Sequence, residues 1–556
     1  MTTAQDTAQD RVMRTEPFDV VVVGGAFSGA ATALLLRRRL PDARIAVVEK
    51  RERFDRKVGE ATVELSAYFL HHVLGLHDYL SREHLPKHGL RFWFTDGPGR
   101  RLDEMTEIGP REVPALPAFQ LDRAKLDEHL LALAREAGCT VLRPARVESV
   151  ETGWPSTTVV VREDGKEPRT LEARWLVDGT GREGWLASRL GLRRPLPQHP
   201  TAAAWGRWRN INDMDGPLLR GPDPRHPRLG HVAPARRLAT NHFCGDGWWC
   251  WVIPLKGGET SIGVVFDRRR FDLFKEGKAR AAYERFVRGR PGLAELAAGA
   301  DLDGDDFAYR RSLPYTCERY MEKGWALVGD AATFLDPFYS PGLDHAAVSI
   351  CATAEIVEAD LGGLPEPDLD ARVASHNAVF ARSIPRWLDA LYTDKYELFG
   401  DAELVRCAYL VDTGLYLLGV VGPAHRTFAA MSNPIFGPDL PQSRIAAGFM
   451  RFFKSRLVQI ARHRRQTGTY GRRNAGWRSY GPAFDLGARS AGNLRRGLQA
   501  WLALETEHAS RPLRGAFFLL FSSVGRASRG RSCEARPTDE KREKEGPAPA
   551  DAKRIS

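Results

Sequence analysis

The stretch from Phe18 to Leu40, "FDVVVVGGAFSGAATALLLRRRL", constrains this chain more than any other. Four consecutive valines suit a strand buried on both faces, and the apolar run after the glycines suits a helix packed on it. "ARIAVVEK" follows as a second strand, which completes a βαβ unit. In the turn "GGAFSG", Gly24 occupies the position of the first glycine of a dinucleotide fingerprint and Gly29 that of the third, with Ala26 at the second. The first makes the turn, the second lets backbone approach a pyrophosphate, and the third lets helix and strand close on each other. Glu49, twenty residues after Gly29, ends the second strand, where a carboxylate accepts the hydroxyls of an adenosine ribose.

A second nucleotide signal lies far away, in "ALVGDAATFLDP". Asp330 ends a strand just before a helix, where it can accept a ribityl hydroxyl while the helix start faces the pyrophosphate region. Two distant segments meeting on one cofactor resemble the FAD-dependent monooxygenase fold, and that resemblance implies FAD rather than NAD. "FQLDRAKLDEHLL" is an amphipathic helix that carries Arg123 near its start, either as a flavin neighbour or as a surface arginine. Only one complete fingerprint is present, so no second site for NADPH is expected.

Length and charge bound the rest. A chain of 556 residues exceeds one core, so two or three packed subdomains are expected. No uninterrupted apolar stretch reaches the eighteen residues of a membrane span, and "AFFLLF" (516–521) is far shorter. The first residues lack the apolar middle of a secretory signal. The seven cysteines form no CxxC pair, so a reduced cytoplasmic protein with no metal site is expected. The net charge of +11 concentrates in an arginine-rich stretch from Arg451 to Arg496. That stretch is either a solvated helix face with a loop, or a docking patch for an acidic partner or a membrane surface. No recognised motif for nucleic acid accompanies the charge.

Three tryptophans, Trp248, Trp249 and Trp251, then fall within "GDGWWCWVIP". Residues 249–254 match the WxWxIP signature of flavin-dependent halogenases, and Phe334, Pro337, Ser340 and Gly342 match the second signature, FxxPxxSxG. "KVGEAT" (57–62) resembles the VGEAT segment, and "PKHGLRFWF" resembles the segment that carries the family's lysine, here Lys87. The chain thus resembles the tryptophan-halogenase-like family, in its phenolic or carrier-tethered branch, over roughly residues 17–360.

The resemblance implies an α/β fold: an FAD-binding Rossmann-like domain of the monooxygenase type, an antiparallel-sheet substrate domain, and a mainly helical C-terminal subdomain. The expected boundaries are a disordered 1–16, an FAD-binding module over 17–370 with a sheet inserted at about 195–315, helices over 371–525, and a disordered tail over 526–556. It implies a two-component enzyme that takes reduced FAD from a separate flavin reductase and uses chloride or bromide. Flavin and oxygen form a C4a-hydroperoxide, halide becomes hypohalous acid, Trp249 and Trp251 separate flavin from substrate, and Lys87 aims the halogen. Ser340 and Gly342 lie at the halide.

Two residues depart from the family pattern. Tyr339 stands where tryptophan halogenases place a glutamate, so a phenol or a carrier-tethered ring is expected rather than free tryptophan. Pro341 has no N–H for an anion, which leaves Gly342, its neighbours and the Ser340 hydroxyl, with Asp344 close enough to repel chloride. Glu60 is a candidate for the flavin wall or a proton route, or a surface carboxylate. The alternative reading is a halogenase-like hydroxylase or desaturase acting on a lipid, polyene or carrier-bound substrate; a third is a flavin-binding scaffold without catalysis. Trp387, Tyr392 and Tyr396 are candidates for the pocket.

Overall fold

In the computed structural model, residues 15–97, 101–216 and 235–508 are described. Strand Thr15–Val23 lies at the centre of a mixed eight-stranded sheet. It pairs in parallel with Ile45–Val48 on one side and Arg169–Asp178 on the other. Trp325–Leu327 and Thr140–Leu142 extend the parallel run outward. Val20 to Val22 are fully buried, as a strand covered on both faces requires.

Helix Phe27–Arg39 returns across that sheet from the glycine turn. Gly24 has φ +90, a backbone conformation that L side chains avoid. A Cβ on Gly29 would sit 1.8 Å from the Gly24 carbonyl oxygen, so helix and turn touch backbone to backbone.

The second sheet has nine strands. Thr201–Arg209, Thr260–Asp267, Trp248–Pro254 and Thr240–Gly245 run antiparallel at its centre. It also reaches outside the expected 195–315. Leu90–Phe94 joins parallel to Thr240–Gly245, Thr106–Gly109 follows, and Arg478–Tyr480 from the C-terminal region closes the edge. Hydrophobic pattern and turn chemistry specify neighbours close in sequence; the pairings of Leu90–Phe94 with Thr240–Gly245 and of Thr106–Gly109 with Arg478–Tyr480 are long-range, and nothing local announces them.

Strand Trp248–Pro254 accounts for its tryptophans by period two. Trp248, Cys250 and Val252 point into a core with Tyr283, Phe286 and Val287 of helix Ala279–Gly289. Trp249, Trp251 and Ile253 point to the opposite face, where the signature residues gather.

The C-terminal helices begin at Glu366, with Glu366–Trp387, Ala402–Tyr416 and Pro441–Gln466. They belong to the same compact unit, which runs to Trp501; a second unit begins at Leu502. The run Ala402–Arg426 is long and apolar enough to cross a membrane, yet 67% of its apolar eighteen-residue stretch is buried inside the fold, where the Tyr409 hydroxyl donates to the Leu90 carbonyl at 3.1 Å. Residues 15 and 16, expected to be disordered, already belong to the first strand; residues 1–14, the 526–556 tail and "AFFLLF" lie outside the described residues.

Candidate active site

The two cofactor segments meet. A Cβ on Gly329 would lie 2.4 Å from the Ser28 hydroxyl of the glycine turn, and the Gly329 N–H donates to the Ser349 hydroxyl at 2.8 Å. Ala26 is the N-cap of helix Phe27–Arg39 and adds no capping side chain, so the first amides of that helix stay open. Glu49 is buried at the end of its strand and accepts the Gly25 and Arg51 N–H groups at 2.7 and 2.9 Å.

Arg123 opens helix Arg123–Glu136 and is clamped by Asp127 at 3.1 Å and the Val58 carbonyl at 3.2 Å, with its guanidinium over the Phe27 ring. Among the described residues, no hydrogen-bond partner meets the Asp330 carboxyl, which burial pushes up while Arg182, Arg123 and Arg193 draw it down. An open helix start, an aimed carboxylate and a nearby arginine fit FAD.

The signature loop is strained. Tyr339 and Ser340 take φ of +72 and +58, costly for residues with side chains. Pro341 then caps the 20-residue helix Gly342–Leu361, whose first amides lack intrahelical acceptors. A proline at the N-cap removes no helical hydrogen bond, and a Cβ on Gly342 would meet nothing within 4 Å. Among the described residues, no backbone hydrogen bond is made by the N–H groups of Gly342, Leu343 and Asp344.

Asp344 does not crowd that space with free charge. Its carboxylate accepts the Ser66 N–H and the Tyr416 hydroxyl, each at 2.8 Å. The Tyr339 hydroxyl reaches away to Asp412 at 3.0 Å, and Asp412 also pairs with Lys395.

An aromatic cluster joins the signature loop to the tryptophan strand. Phe338 packs on Trp249 with ring centroids 5.4 Å apart, and Trp249 packs on Trp251 at 5.8 Å and on His242 at 5.1 Å. Phe92 stacks on His242 at 4.9 Å. Burial, then the nearby Lys87 charge, holds His242 neutral at about 3. The Trp251 indole donates to Ser261 at 3.1 Å and lies over Gly263, where a Cβ would meet it at 2.2 Å.

Lys87 is 3% exposed, and its Nζ donates to the Thr62 carbonyl at 2.6 Å. Burial pushes its ammonium down to about 8, opposed by Glu64 and Asp344. Glu60, by contrast, is 2.8 Å from the Arg207 Nε inside an ion-pair network that includes Glu259. The carboxyl facing the lysine is Glu64, four residues on, which the sequence reading missed. Its one signal is position: Glu64 starts a helix, Glu64–Tyr68, whereas Glu60 precedes it in extended chain. The Tyr392 hydroxyl donates to the Phe338 carbonyl at 3.3 Å, the Tyr396 hydroxyl accepts from Trp249 at 3.1 Å, and Tyr416 meets Asp344 at 2.8 Å. A surface cleft of about 790 Å³ lined by Phe54, Tyr79, Lys125 and His129 holds none of the signature residues.

This cradle, with a buried lysine and an aromatic cluster, fits an FAD-dependent enzyme. Residues 17–216 match the family described as FAD binding domain. The chain is 27% identical over 440 residues to flavin-dependent halogenase chlA of Dictyostelium discoideum, covering 73% of this chain and 70% of that one. It is 24% identical to the tetracycline 7-halogenase of Kitasatospora aureofaciens, over 74% and 76% of the two chains. A 1H-pyrrole-2-carbonyl-(peptidyl-carrier protein) chlorinase of Pseudomonas fluorescens is 27% identical over 62% of this chain and 77% of its own. The fold is similar to the crystal structure of halogenase PltM with phloroglucinol and FAD, at TM-score 0.62 and 17% identity over 88% and 96% of the chains. These similarities support a place among flavin-dependent halogenases.

Proposed function

We propose that this enzyme is a two-component halogenase. It receives reduced FAD from a separate flavin reductase and transfers chloride or bromide to a phenolic or similarly electron-rich aromatic ring. The observation that carries the reading is Lys87, a buried amine fixed at the Thr62 carbonyl and near both Asp344 of the signature helix and His242 of the aromatic cluster. A lysine is placed this way, out of water, when its amine is to meet a reagent rather than solvent.

Bound in reduced form, FAD supplies with oxygen the oxidising equivalent that turns halide into hypohalous acid. The chain's own residues do the rest. Glu49, Arg123 and Asp330 hold the cofactor, and the Gly342, Leu343 and Asp344 N–H groups with the Ser340 hydroxyl hold the halide at the positive end of a long helix. Trp249 and Trp251 exclude the substrate from the cofactor side, so only a small neutral oxidant passes. Lys87 captures it by hydrogen bond and directs it to the ring. Hypohalous acid is a mild electrophile, which favours rings that activate themselves, as phenols do. A relative named for a carrier-bound pyrrole keeps a tethered substrate in view, and the basic 451–496 stretch suits an acidic carrier.

The test combines purified protein, FAD, a reductase with NADH, oxygen and a panel of phenols and resorcinols, with bromide, chloride or neither. Mass spectrometry of wild type and Lys87→Ala reads the outcome. A halide-dependent halogen mass, absent in the variant, is expected. A gain of one oxygen or a loss of two hydrogens without halide would replace halogenation by hydroxylation or desaturation.

A further inference from the structure

Glu64 has no part in the reading above, yet it is 5% exposed and, among the described residues, no side chain hydrogen-bonds its carboxyl. Its place is fixed from three directions. Two residues before it, the Thr62 carbonyl takes the Lys87 ammonium at 2.6 Å. The Leu65 N–H donates to the Tyr416 hydroxyl at 3.1 Å, and the Ser66 N–H donates to Asp344 at 2.8 Å. The start of helix Glu64–Tyr68 is thereby tied both to the lysine and to the helix that begins at signature residue Gly342.

The charged and titratable groups around Glu64 are few. Lys87 comes from the loop before strand Leu90–Phe94, Asp344 from helix Gly342–Leu361, and Tyr409 and Tyr416 from helix Ala402–Tyr416. His242 faces Lys87 from strand Thr240–Gly245 and stays neutral. Burial raises both tyrosines well above their ordinary value. Both Asp344 oxygens already accept hydrogen bonds. Glu64 is the carboxyl left with an open oxygen.

Aromatic halogenation liberates one proton inside this dry pocket. We propose that Glu64 is the base that receives it; the inference rests on the halogenase reading. The ring π pair forms the carbon–halogen bond as the halogen–oxygen bond of hypohalous acid breaks, and the Lys87 ammonium gives that oxygen a proton so that it leaves as water. The carbon–hydrogen pair returns to the ring, and its proton goes to the Glu64 carboxylate. Glu64 then passes the proton to the Lys87 amine, which restores both groups and leaves aryl halide and water as the net products. Burial lowers Lys87 and raises Glu64 toward each other, so the return transfer runs between groups of similar proton affinity.

Two measurements test this. The first uses holoenzyme with reductase and bromide on resorcinol and its ring-deuterated form. In Glu64→Gln, kcat falls by about 10²-fold or more and a primary deuterium isotope effect appears that wild type lacks. Glu64→Asp recovers part of the rate. FAD binding, read by fluorescence quenching, and the thermal midpoint stay at wild-type values. The second is an infrared titration of the apoprotein. The protonated-carboxyl band lost in Glu64→Gln should titrate in wild type and move to higher pH in Lys87→Met, because the cation that favours the carboxylate is gone. Wild-type rate without an isotope effect in Glu64→Gln, lost FAD binding in that variant, or a carboxyl band indifferent to Lys87 overturns the assignment. A wild-type enzyme that hydroxylates without halide removes the halogenase reading itself, and Glu64 with it.

Discussion

The Trp249 indole donates to the Tyr396 hydroxyl at 3.1 Å, and that hydroxyl donates to Asp336 at 2.9 Å, which also meets the His199 Nε2 at 2.7 Å. The wall tryptophan is therefore held from behind by a residue of the C-terminal helical region. Tyr396→Phe should leave a buried indole N–H without its acceptor, at a cost of about 1–3 kcal/mol. Thermal denaturation should show a lowered midpoint, and halide-independent oxidation of NADH should rise as the wall loosens. An unchanged midpoint would remove the anchoring role.

The alkaline limb of halogenation should report Lys87. If the ammonium is the active form, the rate falls as pH rises through about 8. Glu64 and Asp344 are negative charges that hold the proton on, so Asp344→Asn should move the limb to lower pH. A limb that moves to higher pH, or stays in place, contradicts this electrostatic arrangement.

Glu60 and Glu64 should separate cleanly. Glu60→Gln breaks a buried pair with Arg207 and should cost the fold about 3 kcal/mol, as loss of one buried ionic partner does. It should leave the isotope effect and pH profile of the remaining folded enzyme unchanged. Urea denaturation beside the pH–rate curve reads both.

Gly29→Ala places a methyl where the Gly24 carbonyl already stands. Helix and turn must part, so FAD affinity should fall beyond detection by fluorescence quenching, with soluble yield reduced. Gly342→Ala, whose methyl meets open space, should keep FAD and lose instead in the concentration of halide needed for half-maximal rate.

The sequence carried the cofactor half of the site because that half is written in local pattern. A valine run, glycines at fixed spacing and a carboxylate twenty residues on are all neighbours in the chain, and Gly24, Gly29 and Glu49 stand together as backbone geometry demands. Trp249 and Trp251 were legible as a pair, but Trp248 was not separable from them until strand alternation put it in the opposite core. Asp344 looked like a charge beside the halide because only its distance along the chain from Gly342 was visible; its partners, Ser66 and Tyr416, lie 278 and 72 residues away. Glu64 was hidden for the same reason. A carboxylate's neighbours across the fold decide its chemistry, and no periodicity in "EATVEL" reveals them.

The edge strand Arg478–Tyr480 and the tyrosines of Ala402–Tyr416 have a practical consequence for anyone trimming or recombining this enzyme. Every recognisable signature ends by Gly342, so a shortened clone stopping near residue 360 would pass any motif screen. It would also lack Tyr396, Tyr409, Asp412 and Tyr416, which hydrogen-bond Trp249, the Leu90 carbonyl, Tyr339 and Asp344. Swapping substrate range between relatives by exchanging front halves would therefore join one enzyme's reagent to another enzyme's mould.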